Sequence, residues 1–549
     1  MRFLRFALVV AFVATAAGLS IRLSARQAPY DLLIRGGHIV DGTGNPWFAG
    51  DVAIRGDRIA AVGHLEGARA AREIDARGLA VAPGFIDLHT HSDLTLLNDG
   101  NGESKVRQGV TLDVIGESTS VAPRDGLPEA KSTWTDFTGY WRALKTKGIS
   151  MNLISEVSYQ QIRLVVAGYS QDPATPVQLA RMKELTTRSM REGAWGLVTR
   201  FESGGPEHPD EVIEIAKVVA SMGGIYASHI GSEGMQQEKE LAFAIRVAEE
   251  ARIPVHIFHL KIRGKNNWGT VGRYVATIEA ARKRGLDVTA NQYPYTAMQH
   301  QWSAFFPVWA RAGGPQEFAA TLKDPAGRQK IKNDPDFRTW ASEHGSWEGI
   351  VLGRARQPQN KRYEGKRLSE IAAERGDADP ADTCISLMAE EGGTISGIFH
   401  TMSEADVRTV MVQPWVAIAS DGSAINLEEE GVPHPRSYST NARVLGYYVR
   451  DQKVLTLEDA IRKMTSLPAQ VLGLRDRGQV REGFAADLAI FDPAKVGETN
   501  SFEKPKAYAS GVSYTIVNGV LVVDGGKHTG ARPGRALLGR GADAKANVE

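Results

Sequence analysis

Cysteine is nearly absent from this sequence, with Cys384 alone in 549 residues. No intrachain disulfide can form, so stability has to come from the core and from any bound metal. A metal centre must likewise be built from histidine, carboxylate or a modified lysine. Net charge is lacking too, with 65 Lys and Arg set against 64 Asp and Glu. Such a balance offers no basic surface of the kind nucleic acid requires, and no nucleic-acid partner is expected. Internal repeats and low-complexity tracts are absent, apart from a polar tail at residues 541–549 that reads as disordered.

The N-terminus reads MRFLRFALVVAFVATAAGLS. Arg2 and Arg5 precede an apolar run from Phe6 to Val13, followed by small residues that offer a cleavage site such as Ala14-Thr15-Ala16. The uncharged stretch ends at Ile21 and falls short of the roughly 20 residues a spanning helix needs. Residues 1–28 therefore read as a signal peptide. The mature protein is expected to be exported, to periplasm or medium, without stable membrane insertion.

From Tyr30 to Ala82, short β-like runs alternate with glycine-rich turns, as in DLLIRGGHIVDGTG and DVAIRGDRIAAVG. The same texture returns in GFAADLAIFDP and YTIVNGVLVVDGGKHTG. Residues 30–82 and 474–540 are thus expected to complete one small β-sandwich, with residues 83–473 inserted between them. That middle part alternates apolar strands such as GVTLDVIGE, GAWGLVTR and WVAIASDGS with amphipathic helices. Such a rhythm predicts an α/β fold, a TIM-like (β/α)8 barrel. Residues of about 298–380 break the rhythm and read as an insert or lid.

The stretch VAPGFIDLHTHSDL, residues 81–94, places His89 and His91 one residue apart. In a strand both point to the same face and can chelate. Barrel chemistry gathers at the C-terminal ends of strands. Polar groups stand at those ends throughout: His89, His91, Glu117, His229, His259 and Asp421. A catalytic zinc site uses such ligands and keeps a position open for water. His256 competes with His259, but three residues of alternation predict opposite faces for the two. His259 is preferred because it lies nearer the strand end and shares its face with Lys261, a cation for a substrate anion. Asp421 is placed to accept a proton from water and return it to a leaving nitrogen.

Taken in order, PGFIDLHTHSD, QGVTLDVIGE, YASHIGSEG, HIFHLK, YPYTA, PWVAIASDG and HPRSYSTNARVLG resemble the amidohydrolase superfamily, and within it the D-aminoacylase or N-acyl-D-amino-acid deacylase family. The resemblance spans nearly the whole mature chain. It implies a metal-dependent barrel with a flanking β-sandwich, hydrolysing the amide of N-acylated D-amino acids. It further implies His89, His91, His229 and His259 as metal ligands and Asp421 as the acid/base. Lys261, Tyr293 or Tyr295, and Arg436 match positions that hold the substrate carboxylate.

Where the family pattern has a metal-binding cysteine in GNCG, this chain reads IGESTS, and Glu117 is the natural replacement. A carboxylate is a harder ligand than thiolate and widens the range of divalent ions admitted, with zinc still expected. The fourth-strand run GAWGLVTR has no lysine, so a carboxylated-lysine bridge is unsupported and the count of one or two ions stays open. Gly231 in SHIGSEG stands where relatives carry arginine, which puts the usual contacts of that loop in doubt. A dipeptidase, cyclic amidase or lactonase could use the same residues, and a non-catalytic binding protein is the remaining alternative.

Overall fold

The computed structural model describes residues 30–117, 120–127, 133–170, 172–201, 208–231, 233–234, 237–343 and 347–546. The signal peptide expected at residues 1–28 lies outside them. Among the described residues no helix is long and apolar enough to cross a membrane.

Both ends of the chain meet in one nine-stranded sheet. Tyr30–Ile39 pairs antiparallel with Phe48–Arg55, which pairs with Arg58–Gly63. The seam lies where Leu488–Phe491 runs antiparallel to Ala80–Pro83, with Leu488 opposite Pro83 and Phe491 opposite Ala80. Ile34, Ile39, Val52, Ile54, Val81, Leu488, Ile490 and Ile516 share one buried cluster. The two terminal segments thus bury apolar faces that neither could cover alone.

The barrel strands are, in order, Phe85–Asp87, Val110–Ile115, Asn152–Ser155, Gly196–Arg200, Ile225–His229, Val255–Ile257, Val288–Gln292 and Val416–Ile418. The first three form one parallel arc. The fourth to eighth form a second arc, begun by Val157–Ser158 directly after the third strand. Runs such as VTLDVI are buried throughout, as parallel strands covered on both sides must be. Helices screen the outside: Pro176–Arg191 starts from a Thr175–Gln178 capping box and buries Met182, Leu185, Thr186, Ser189 and Met190, a stripe at helical spacing. First and eighth strands meet through Asp421 N–H donating to His89 C=O at 2.9 Å and His91 N–H donating to Gly422 C=O at 3.0 Å.

Between the seventh and eighth strands, Ala297–Gln301, Ser396–His400 and Ile350–Arg354 form an antiparallel sheet. Helices between residues 308 and 390 cover it, around a separate core of Trp302, Phe306, Phe337, Trp340, Ile350, Leu387 and Phe399. This insert extends to His400, beyond the expected end near 380, because Pro380–Glu390 followed by SGIFH imitates the α/β rhythm of the barrel. Cys384 is buried in its core. The C-terminal segment is also ordered further than its polarity suggests. Gly534, Leu537, Gly539 and Asp543 donate backbone bonds to Ile149, Leu153, Gly193 and Arg191. The expected tail at 541–549 is therefore laid against the barrel at Asp543, and only residues 547–549 fall outside the description.

Candidate metal-dependent active site

Tight backbone approaches set the mouth of the barrel. Gly116 (φ +128°) precedes Glu117, and a Cβ there would fall 2.4 Å from the Glu156 carbonyl oxygen. Only glycine lets the second strand leave so close to the third and aim Glu117 inward. Asp421 adopts φ +50°, and a Cβ on the following Gly422 would lie 2.9 Å from Ser437 Cα. The eighth strand thus turns sharply against residue 437 and presents the Asp421 carboxylate to the first strand.

Two donor sets result. In the first, His91 Nε2 lies 3.0 Å from Asp421 Oδ1 and 3.4 Å from Glu117 Oε2, and His89 Nε2 lies 3.7 Å from Asp421 Oδ1 and in closer contact with Glu117 Oε2. In the second, His229 Nδ1 lies 2.6 Å from Glu117 Oε1 and 2.9 Å from His259 Nε2. Within each set the ligand atoms lie within 4.8 Å of one another, and Glu117 belongs to both. All but His91 are buried.

Burial alone would raise the Glu117 carboxyl, but the imidazoles of His89 and His229 hold it well below the usual carboxylate range. Asp421 is likewise held well below, against burial, by Arg436 and then His89. His259 is pushed down to about 4 by burial and by the Lys261 ammonium. Carboxylates held ionised and imidazole nitrogens within a few ångströms of one another form the donor chemistry of a divalent cation, and these residues fit one.

A cleft of about 440 Å³ opens above the two sets, lined by His91, Arg200, Glu233, Lys261, Tyr293 and Arg436 among others. Arg436 Nη1 donates to Asp421 Oδ2 at 2.7 Å, and the guanidinium carbon lies 5.0 Å from the centre of the Tyr293 ring. Lys261 Nζ lies 5.3 Å from the same ring centre. Tyr293 is thus brought together with both cations. Tyr295 is not: it packs under Arg443 at 5.0 Å and against His434 at 5.1 Å, outside the cleft lining.

His256 departs from the alternation argument. The sixth strand ends at Ile257 and His259 takes φ +33°, so strand geometry does not continue between the two histidines. His256 also faces inward, its ring edge-on to Phe258, which stacks on His89 at 4.0 Å. It is held by Thr289 and Asn291 beneath the donor sets and belongs to neither.

Two residues at the site escaped the sequence reading. Glu233 is buried, with Oε1 accepting from Lys261 and lying 3.0 Å from His259 Nδ1. Its signal was an acid four residues after a strand-end histidine, in a loop that bends back at φ +45°. Arg200, the last residue of the fourth strand, places Nε 3.9 Å from Glu117 Oε1 and donates from Nη2 to His300 at 2.7 Å. It ends GAWGLVTR, where only a lysine was sought.

Comparison with known proteins agrees with this fold. The model of the family described as "Amidohydrolase family" matches residues 72–314 and 387–523, and the interval between them falls within the insert. D-aminoacylase of Alcaligenes xylosoxydans xylosoxydans is 34% identical over 522 residues, covering 93% of this chain and 98% of its own. A solved D-aminoacylase superposes with a TM-score of 0.77 at 32% identity, covering 93% of this chain and all of its own. N-acyl-D-glutamate deacylase from Bordetella bronchiseptica, solved with zinc and a phosphonate mimic of the reaction's tetrahedral intermediate, gives 0.77 at 27% identity, with 93% and 100% covered. By its sequence, its barrel and the match along most of its length, the chain belongs to the amidohydrolase family.

Proposed function

We infer that the protein is a metal-dependent hydrolase that cleaves the amide bond of N-acyl-D-amino acids, releasing a carboxylate and a free D-amino acid. The observation that carries this reading is the pair of donor sets sharing Glu117 directly beside the cations Lys261 and Arg436. Kinship with D-aminoacylase and N-acyl-D-glutamate deacylase supports it.

His89, His91, Glu117 and Asp421 would hold one divalent ion, zinc first, and Glu117, His229 and His259 a second. Such an ion supplies Lewis acidity toward the scissile carbonyl and lowers the pKa of water. Asp421, kept ionised by Arg436, accepts the proton of the attacking water and delivers it to the departing nitrogen, as acid/base catalysis requires. Arg436 spends Nη1 on Asp421 while its buried Nε has no protein partner, so the guanidinium can hold Asp421 and a substrate carboxylate together. Lys261 supplies a second positive charge and Tyr293 a buried hydroxyl without a protein partner. Burial lowers the Lys261 ammonium, and Glu233 opposes that shift while orienting the ammonium at the cleft wall.

The test is release of free amine from N-acetyl-D-amino acids, with the L-enantiomers, D-dipeptides, cyclic amides and lactones run alongside. Cleavage of linear D-substrates supports the reading. Turnover of a cyclic amide or lactone alone would replace it with one of the other hydrolases that can use the same residues. We also propose that residues 1–28 direct export. Sequencing the N-terminus of periplasmic and secreted material checks this, and an intact Met1 on cytoplasmic protein contradicts it.

A further inference from the structure

Beneath the first donor set lies a charged group that touches neither the cleft nor any ligand. Lys105, on the short helix Glu103–Val106, is fully buried. Its Nζ donates to Asp87 Oδ2 at 2.8 Å and to Ser420 Oγ at 2.6 Å, and lies 4.0 Å from Asp113 Oδ2. Each of these partners backs a different ligand. Asp87 ends the first strand two residues before His89, and its Oδ1 accepts from Ser420 N–H at 2.9 Å. Asp113 lies on the second strand, four residues before Glu117. Ser420 directly precedes Asp421. Ser92, next to His91, donates to Asp113 Oδ2 at 2.7 Å and accepts from Ala424 N–H at 3.0 Å.

The ammonium thus ties together the strand ends that carry His89, His91 and Asp421, and reaches the second strand only through Asp113, 4.0 Å away and four residues before the Glu117 that both sets share. It makes no contact with the fifth and sixth strands, which carry His229 and His259. A buried ammonium shared by two carboxylates is retained only with its hydrogen bonds complete, and losing it leaves uncompensated charge that moves the backbone around it.

We propose that Lys105 is a positioning residue for the first donor set alone, fixing the spacing at which His89, His91 and Asp421 retain an ion. The inference rests on the reading that both sets hold divalent ions. Outer residues of this kind typically change metal affinity by about 10- to 100-fold.

Stripped protein is titrated with zinc against a chromophoric chelator for the full mature chain, Lys105→Met and the charge-compensated Lys105→Met/Asp113→Asn. His91→Ala and His259→Ala mark the two binding steps. The expected result is a loss of about tenfold or more in the step that His91→Ala abolishes, with the step that His259→Ala abolishes unchanged. Unchanged affinities, parallel loss of both steps, selective loss of the His259 step, or failure of both variants to fold would overturn the inference. No zinc uptake by the unsubstituted chain would instead refute the metal reading of the site.

Discussion

Glu117 Oε1 lies 2.6 Å from His229 Nδ1. Its second oxygen serves the His89 and His91 side, so one carboxylate belongs to both donor sets.

Glu117→Gln keeps the shape but removes the charge that balances two cations. Metal content after dialysis is expected to fall for both sets, and kcat/KM with it by at least about 100-fold. Glu117→Cys should keep measurable activity and shift preference toward softer ions, read by competition between zinc and manganese. Equal metal content in Glu117→Gln would show that the carboxylate is only a neighbour.

Asp421→Asn retains an oxygen beside His91 but cannot accept a proton. kcat is expected to drop by about 10²- to 10⁴-fold with a much smaller change in KM. Steady-state kinetics at saturating metal decide the point, and a normal kcat would remove Asp421 from the proton path.

Lys261→Met should raise KM by about 10- to 100-fold, the worth of a charge-assisted hydrogen bond. Arg436→Met should raise KM similarly and also lower kcat, since Asp421 loses its Nη1 donor. Tyr293→Phe should raise KM several-fold, whereas Tyr295→Phe, outside the cleft lining, should leave it alone. The opposite ranking of the two tyrosines would relocate the carboxylate site.

Burial pushes the Asp113 carboxyl up to about 6, against the opposing pull of Lys105. A carboxyl raised in the folded state binds more protons folded than unfolded, so its contribution to stability falls as pH rises from about 4 to about 6. Relative to Asp113→Asn, the unsubstituted chain should therefore lose about 2 to 3 kcal/mol across that window. Urea unfolding of both proteins at pH 4 and pH 7 measures the difference, and a pH-independent gap would place the titration elsewhere.

What the sequence revealed of the site was whatever follows from strand ends. His89, His91, Glu117, His229, His259 and Asp421 each follow a short apolar run, and the barrel brings those ends to one mouth. Alternation failed where strands stop: beyond Ile257 the positive φ of His259 breaks the two-residue period that was used to separate it from His256. Glu233 and Lys105 were invisible for a different reason. Their hydrogen-bond partners Lys261 and Asp87 lie 28 and 18 residues away, and nothing local marks a buried acid or ammonium as paired. The insert's true extent was hidden because its last helix and strand repeat the pattern of the barrel around it.

The most direct measurement is zinc add-back to the stripped protein, following amino-acid release from N-acetyl-D- and N-acetyl-L-substrates as ions are restored. Activity that is absent without metal, returns with zinc and is confined to the D-series is the predicted result. Full activity in the stripped protein, or no amide cleavage after zinc is restored, would contradict it.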